Sequence, residues 1–88
     1  MAVTVLVTPK SLTKEMYAKA MDRLQAAGQR EPKGRTFHVC SGSADKLSVF
    51  EVWNSSADFE AFGAVLMPIL ADVGIDPGQP KIDPVVIQ

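Results

Sequence analysis

The stretch FHVCSGSADKLSVFEVWNSSADFEAF, Phe37–Phe62, decides the fold. It opens and closes its first half with two strand-like runs, Arg35–Cys40 and Leu47–Trp53, rich in β-branched and aromatic residues. Between them stands the turn-forming segment SGSADK, so the pair reads as a hairpin with a slightly irregular tip. Directly after Trp53 the pattern changes period. Asn54-Ser55-Ser56-Ala57-Asp58 supplies a helix cap, with Asp58 three residues after Ser55 as a short capping box. Phe59, Phe62, Val65, Leu66, Ile69, Leu70 and Val73 then recur at helical spacing and stop at Gly74. Pro68 interrupts this stripe, removes a backbone donor and crowds the carbonyl of Ala64, which predicts a kink or a break into two helical pieces.

Upstream, Ala2–Thr8 (AVTVLVT) is apolar almost throughout and is stopped by Pro9, which predicts a central strand covered on both faces. A helix follows, capped by Ser11 or Thr13, with Leu12, Met16, Tyr17, Ala20, Met21, Leu24 and Ala27 on its buried face and an end at Gly28. Gln29–Gly34 is a polar loop. Downstream, Asp76–Pro80 (DPGQP) is a turn, and Lys81–Ile87 is a last strand whose Pro84 belongs at a sheet edge. The order strand, helix, strand, strand, helix, strand defines an α+β, ferredoxin-like βαββαβ domain over residues 1–88. Its four-stranded antiparallel sheet has the order 4-1-3-2. The most apolar strands, the first and third, then lie in the middle.

Composition narrows the function classes. Nine Lys+Arg against ten Asp+Glu leave a net charge of −1 with no block of like charge, so nothing nominates a polyanion or a membrane surface. No apolar run approaches the ~18 residues needed to span a bilayer, and the amino-terminal residues lack a basic leader region, giving the expectation of a cytoplasmic protein. Cys40 is the one cysteine, and no Cys/His spacing resembles a zinc site. A chain of 88 residues buries only about 60–65% of its unfolded surface. With 47% hydrophobic and 22% charged residues it has apolar surface to spare, which points to a homodimer. RNA binding is the reading the βαββαβ order raises, because KLSVFEVW partly resembles the aromatic octamer of RNA-recognition domains. Leu47 replaces the required glycine, Ser48 the third-place aromatic, and the first strand has no aromatic, so no base-stacking platform is expected.

One constellation has the makings of an active site. If the hairpin tip is Ala44-Asp45, opposed residues sum to 89. His38 then faces Glu51, Thr36 faces Trp53 and Cys40 faces Val49; a slip of one residue sets His38 against Phe50 instead. An imidazole beside a carboxylate is suited to moving protons near neutrality. Trp53 would give an aromatic substrate a flat wall, and Tyr17, Met16 and Met67 would close the pocket from the helices. The plainer reading is a satisfied cross-strand pair, with Trp53, Tyr17 and the methionines as packing, Cys40 as a small core residue and Arg35 as solvated surface.

With VTVLV, MYAKAMDRL, the Phe37–Phe62 run and MPILADVGI laid end to end, nearly the whole chain resembles the antibiotic-biosynthesis monooxygenase-like, dimeric α+β barrel proteins. The strand-to-helix junction Phe50–Phe62 carries most of that likeness, along with the combination of His38, Glu51, Val52 and Trp53. The resemblance implies two ferredoxin-like subunits whose sheets pack into a barrel, each with a pocket between sheet and helices. It also implies a cofactor-independent oxygenase acting on a phenolic or quinol-type molecule. His38 would be the base, Glu51 its orienting partner, and the resulting anion would react with O₂ without a metal or other cofactor. The haem-degrading branch uses a strand-one Asn, a strand-three Trp and a second-helix His; only Trp53 matches. In the quinol-oxygenase branch a His commonly follows the start of the second helix, where this chain has Phe62. A non-catalytic dimeric module that binds a hydrophobic ligand or partner is the alternative from a different class.

Overall fold

The computed structural model describes residues 1–88 and contains six elements. They are β1 (Val3–Val7), α1 (Lys14–Ala26), β2 (Arg35–Ser41), β3 (Ser48–Trp53), α2 (Ser56–Val73) and β4 (Lys81–Pro84). The sheet runs β2-β3-β1-β4, which is the expected 4-1-3-2 order seen from the other edge, and each pairing is antiparallel. Both helices start where side-chain oxygens can receive free backbone donors. Thr13 Oγ1 accepts from Met16 N at 3.1 Å, and Ser55 Oγ accepts from Asp58 N at 3.2 Å. Gly74 closes α2 in the left-handed conformation (φ 87°), which costs a residue without Cβ little.

Pro68 does not break α2, which runs unbroken to Val73. The expected division into two pieces fails for a local reason. Pro68 and Ala64 are both exposed, so the carbonyl left without its N–H partner can be hydrated. β4 is also shorter than the expected Lys81–Ile87 and stops at Pro84, consistent with proline at an edge strand.

Cross-strand pairing aligns the face under the helices in three rows. These are Val3 with Trp53 and Arg35, Val5 with Glu51 and His38, and Val7 with Val49 and Cys40. Two apolar clusters form against this face. Val3, Val5, Leu24, Trp53 and Phe62 make one; Leu12, Ala20 and Ile75 make the other. The opposite face carries Leu6, Phe50 and Val39 in one row and Val52 with Phe37 in another. Nothing in the single chain covers it, and Phe37 is 51% exposed. Within one chain β1 is covered on one face only, where the expectation was of both: Val5 is fully buried while Leu6, its neighbour, is 37% exposed. Only 11 of 88 residues are buried, so the core of one subunit is small.

Candidate active site

The hairpin brings His38 and Glu51 together in the expected register, with Cys40 opposite Val49. The tip between Ser41 and Ser48 includes Gly42 (φ 126°), where an added Cβ would lie 2.4 Å from the Lys46 carbonyl oxygen. Glycine is therefore what lets the two strands close at this register.

Near its start, β2 departs from the expected pairing. Arg35 pairs with Trp53 and Phe37 with Val52, which leaves Thr36 as the extra residue of a bulge. Thr36 does not face Trp53 under the helices. Its hydroxyl turns outward to the Val52 carbonyl at 3.3 Å, and Arg35 takes the inward position. Arg35 was expected at the surface, yet its side chain is only 10% exposed. The bulge is the cause, because one inserted residue reverses which side chain points inward.

Four groups converge on or through Glu51. His38 Nδ1 lies 2.6 Å from Glu51 Oε2, and Arg35 Nη1 donates to the same oxygen at 3.2 Å. Trp53 Nε1 donates to Glu51 Oε1 at 2.9 Å. On the far side of the imidazole, Tyr17 Oη lies 2.6 Å from His38 Nε2. Arg35 is held in turn by the Arg30 carbonyl, 2.9 Å from Nη2, and its guanidinium lies 6.0 Å from the centre of the Phe62 ring. No buried side-chain nitrogen or oxygen lacks a partner.

Burial by itself pushes the Glu51 carboxyl up, but the hydrogen bonds from His38 and Trp53 and the positive charge of Arg35, joined by that of His38 whenever it is protonated, outweigh it. The group lies below the usual carboxylate range and is ionised. An ionised carboxylate only accepts, so Nδ1 of His38 must carry the hydrogen. In the neutral imidazole Nε2 then accepts from the Tyr17 hydroxyl. Burial, followed by the Cys40 and Glu51 charges, pushes the Tyr17 phenol up, against the lowering effect of Arg35 and Arg30. Tyr17 is therefore a neutral donor. Burial also raises the Cys40 thiol, the opposite of an activated cysteine.

This chain of groups opens on a cavity of about 200 Å³ between the sheet, both helices and the segment after α2. Its wall is mostly apolar, with Val7, Met21, Phe59 and Leu66 among the lining residues. The polar side chains on it are Tyr17, Arg35, His38, Glu51 and Gln79. A dry apolar cavity of about 150 Å³ is enough to hold benzene, so a small aromatic system is the size that fits. Met67 reaches this wall from α2 and is half exposed at 52%, and Tyr17 reaches it from α1.

Two expected wall residues lie elsewhere. Trp53 has no solvent exposure and packs in the core against Phe59 and Phe62, at ring-centre distances of 5.6 and 5.5 Å. It reaches the site through its indole N–H, with the two phenylalanines near the start of α2 packed against its ring. Met16 packs against Leu12, Ala20 and Ile75, which line the cavity while Met16 itself does not. Arg35 and Gln79 were missed. The neighbouring Arg35-Thr36 pair holds no glycine or proline to announce a bulge, and Gln79 sits in a turn whose closure over the cavity depends on tertiary packing.

Haem does not suit these residues. The sole histidine has both ring nitrogens engaged, and the cavity is far smaller than a porphyrin.

No family model matches the chain, and no curated protein matches it by sequence. Solved structures match its fold. SnoaB, a cofactor-independent oxygenase from Streptomyces nogalater, superposes with a TM-score of 0.69 at 15% identity, covering 99% of this chain and 95% of that one. A presumed antibiotic biosynthesis monooxygenase from Chloroflexus aurantiacus J-10-fl gives 0.66 at 14% identity, with 100% and 97% covered. A further presumed monooxygenase of this kind, from Caulobacter crescentus CB15, gives 0.62 at 16% identity, with 93% and 85% covered. The chain thus has the ferredoxin-like α+β fold of the antibiotic-biosynthesis monooxygenase-like proteins. No helix is long and apolar enough to cross a membrane.

Proposed function

We propose that the protein is a cofactor-independent oxygenase of small phenolic or hydroquinone-type molecules, with His38 as general base and Glu51 as the carboxylate that orients it. The observation carrying this reading is a continuous hydrogen-bonded chain, Tyr17 to His38 to Glu51, at the polar end of an apolar cavity. The likeness of fold to SnoaB, itself a cofactor-independent oxygenase, supports the reaction class.

Electrostatics supports it too. With His38 neutral, the charges of Glu51 and Arg35 cancel. When His38 gains a proton, the cluster holds one net positive charge beside the new substrate anion, and the apolar wall keeps that attraction strong. Ionisation makes the aromatic ring electron-rich, and an electron passes to O₂. The resulting radical pair joins in a ring C–O bond to give a hydroperoxide. Loss of water by O–O cleavage leaves a quinone, so one oxygen atom enters the product and the other leaves as water. Oxygen uptake with a panel of phenols and hydroquinones tests the proposal. His38→Ala is expected to abolish uptake with an unchanged circular dichroism spectrum; full activity in that variant overturns it.

The assembly belongs to the same reading. Leu6, Phe37, Val39, Phe50 and Val52 form one apolar sheet face, and a second copy packed against it would give the dimeric α+β barrel that the sequence resemblance implies. The other function, a non-catalytic dimeric binder of a hydrophobic ligand or partner, draws on the complete pairing of His38. A binder gains thermal stability with its ligand and returns it chemically unaltered by mass spectrometry.

A further inference from the structure

An imidazole has two nitrogens, and both are taken. With the imidazole neutral, Nδ1–H donates to a carboxylate that can only accept, and Nε2 accepts from the phenol of Tyr17, each at 2.6 Å. No lone pair of His38 remains for a substrate. The Tyr17 and His38 rings are close to parallel (19°) with centres 6.1 Å apart, so the phenol meets the imidazole edge to edge. Tyr17 gives its single hydrogen to His38, while its oxygen keeps accepting capacity, and the side chain lines the cavity.

We propose that Tyr17 is the group that meets the substrate, receiving the substrate's hydroxyl proton on Oη as it passes its own proton to His38 Nε2. The inference rests on the acid–base reading of the site and adds a catalytic residue to it. In this step the substrate O–H bond and the original Tyr17 O–H bond break. A new Tyr17 O–H bond and a His38 Nε2–H bond form. Tyr17 is neutral before and after, the substrate becomes an anion, and the imidazole becomes an imidazolium held by Glu51. No electrons change hands. Reprotonation of the product runs the relay backwards and resets the site.

A direct mode, in which Tyr17 swings away and the substrate docks on the imidazole, makes the opposite forecast for Tyr17→Phe. Losing the hydroxyl leaves a gap one oxygen wide in the relay, but it uncovers Nε2 in the direct mode.

The probe is 4-nitrophenol, which ionises near neutrality and has a coloured anion, so the phenolate-to-phenol ratio on the protein is read by absorbance. Tyr17 is the only tyrosine, and a ¹³Cζ label gives one resonance for it. The relay requires that the probe shift the Tyr17 resonance in the wild type. It also requires that both Tyr17→Phe and His38→Gln lower the ratio about tenfold or more, equal to one unit in the probe's apparent pKa. Circular dichroism checks that each variant is folded. A ratio kept or raised in Tyr17→Phe but lost in His38→Gln overturns the relay and leaves His38 as a directly acting base. A Tyr17 resonance that the probe leaves unmoved in the wild type overturns the relay; a ratio unchanged by both substitutions overturns the relay and the acid–base reading together.

Discussion

Trp53 and Glu51 join the core to the candidate active site through one hydrogen bond, from the indole Nε1 to Oε1 at 2.9 Å. The indole has no solvent exposure and Glu51 only 5%. Packing of Trp53 against Phe59 and Phe62 therefore fixes the carboxylate, and the carboxylate fixes the imidazole.

Trp53→Phe keeps an aromatic ring but leaves Oε1 of a buried carboxylate short of a donor. The expected loss of stability is ~2 kcal/mol or more, since hydrogen bonds to charged groups contribute about 1.5–3 kcal/mol. Urea unfolding followed by far-ultraviolet circular dichroism measures it, and the same variant is expected to lose turnover because Glu51 is no longer held.

Acid dependence follows from Glu51. Its pKa in the folded protein is lowered, so the stability it contributes is fully present above the ordinary glutamate value of about 4.3 and is lost as pH falls through the lower folded value. Glu51→Gln is expected to lower stability near neutrality by roughly 3 kcal/mol, because the Arg35 charge loses its buried partner. The slope of stability against pH in that acid window also becomes shallower. Thermal melts of both proteins at neutral pH and at a series of pH values below 5 check the two effects.

Tyr17 has the opposite sign. Its pKa is raised in the folded protein, so its contribution is complete below the ordinary tyrosine value of about 10 and declines as pH rises through the higher folded value. Absorbance at the phenolate band is specific for this one tyrosine, and its midpoint is expected above 10 in the folded protein and near 10 in denaturant.

On the uncovered sheet face, Phe50 lies between Leu6 and Val39 and is 38% exposed. Phe50→Lys puts a charge in the middle of the proposed contact between copies. Sedimentation is expected to give a dimer for the wild type and a monomer for the variant, with lower thermal stability because each subunit's core is small. A wild-type monomer at micromolar concentration contradicts this assembly.

The sequence made the hairpin and the His38–Glu51 pairing legible because strand alternation puts Val49, Glu51 and Trp53 on one face, and a tight turn leaves few registers, a one-residue slip setting His38 and Glu51 on opposite faces. It also made both helix caps legible, since Thr13 and Ser55 act within four residues. What it hid depended on contacts distant in sequence. The bulge at Thr36 exchanges the facing of two polar residues that look alike in a pattern of apolar and polar positions, so Arg35 read as surface. Trp53 read as a pocket wall because a strand end can open toward a loop, whereas Phe59 and Phe62 seal it. Met16 and Met67 lie on helices that offer similar side chains to the core and the cavity, and only the helix placement separates them.

Held by Glu51 on one side, His38 presents Nε2 to Tyr17 at the wall of the cavity. His38 is the only histidine, so two-bond ¹H–¹⁵N correlation spectra of ¹⁵N-labelled protein at neutral pH report its tautomer without assignment ambiguity. The account predicts a protonated Nδ1 and a bare Nε2 whose shift moves when a phenol binds. A hydrogen on Nε2 in the free protein, with or without one on Nδ1, or an Nε2 shift indifferent to every phenol tried, would contradict a proton path from the cavity through Tyr17 to His38.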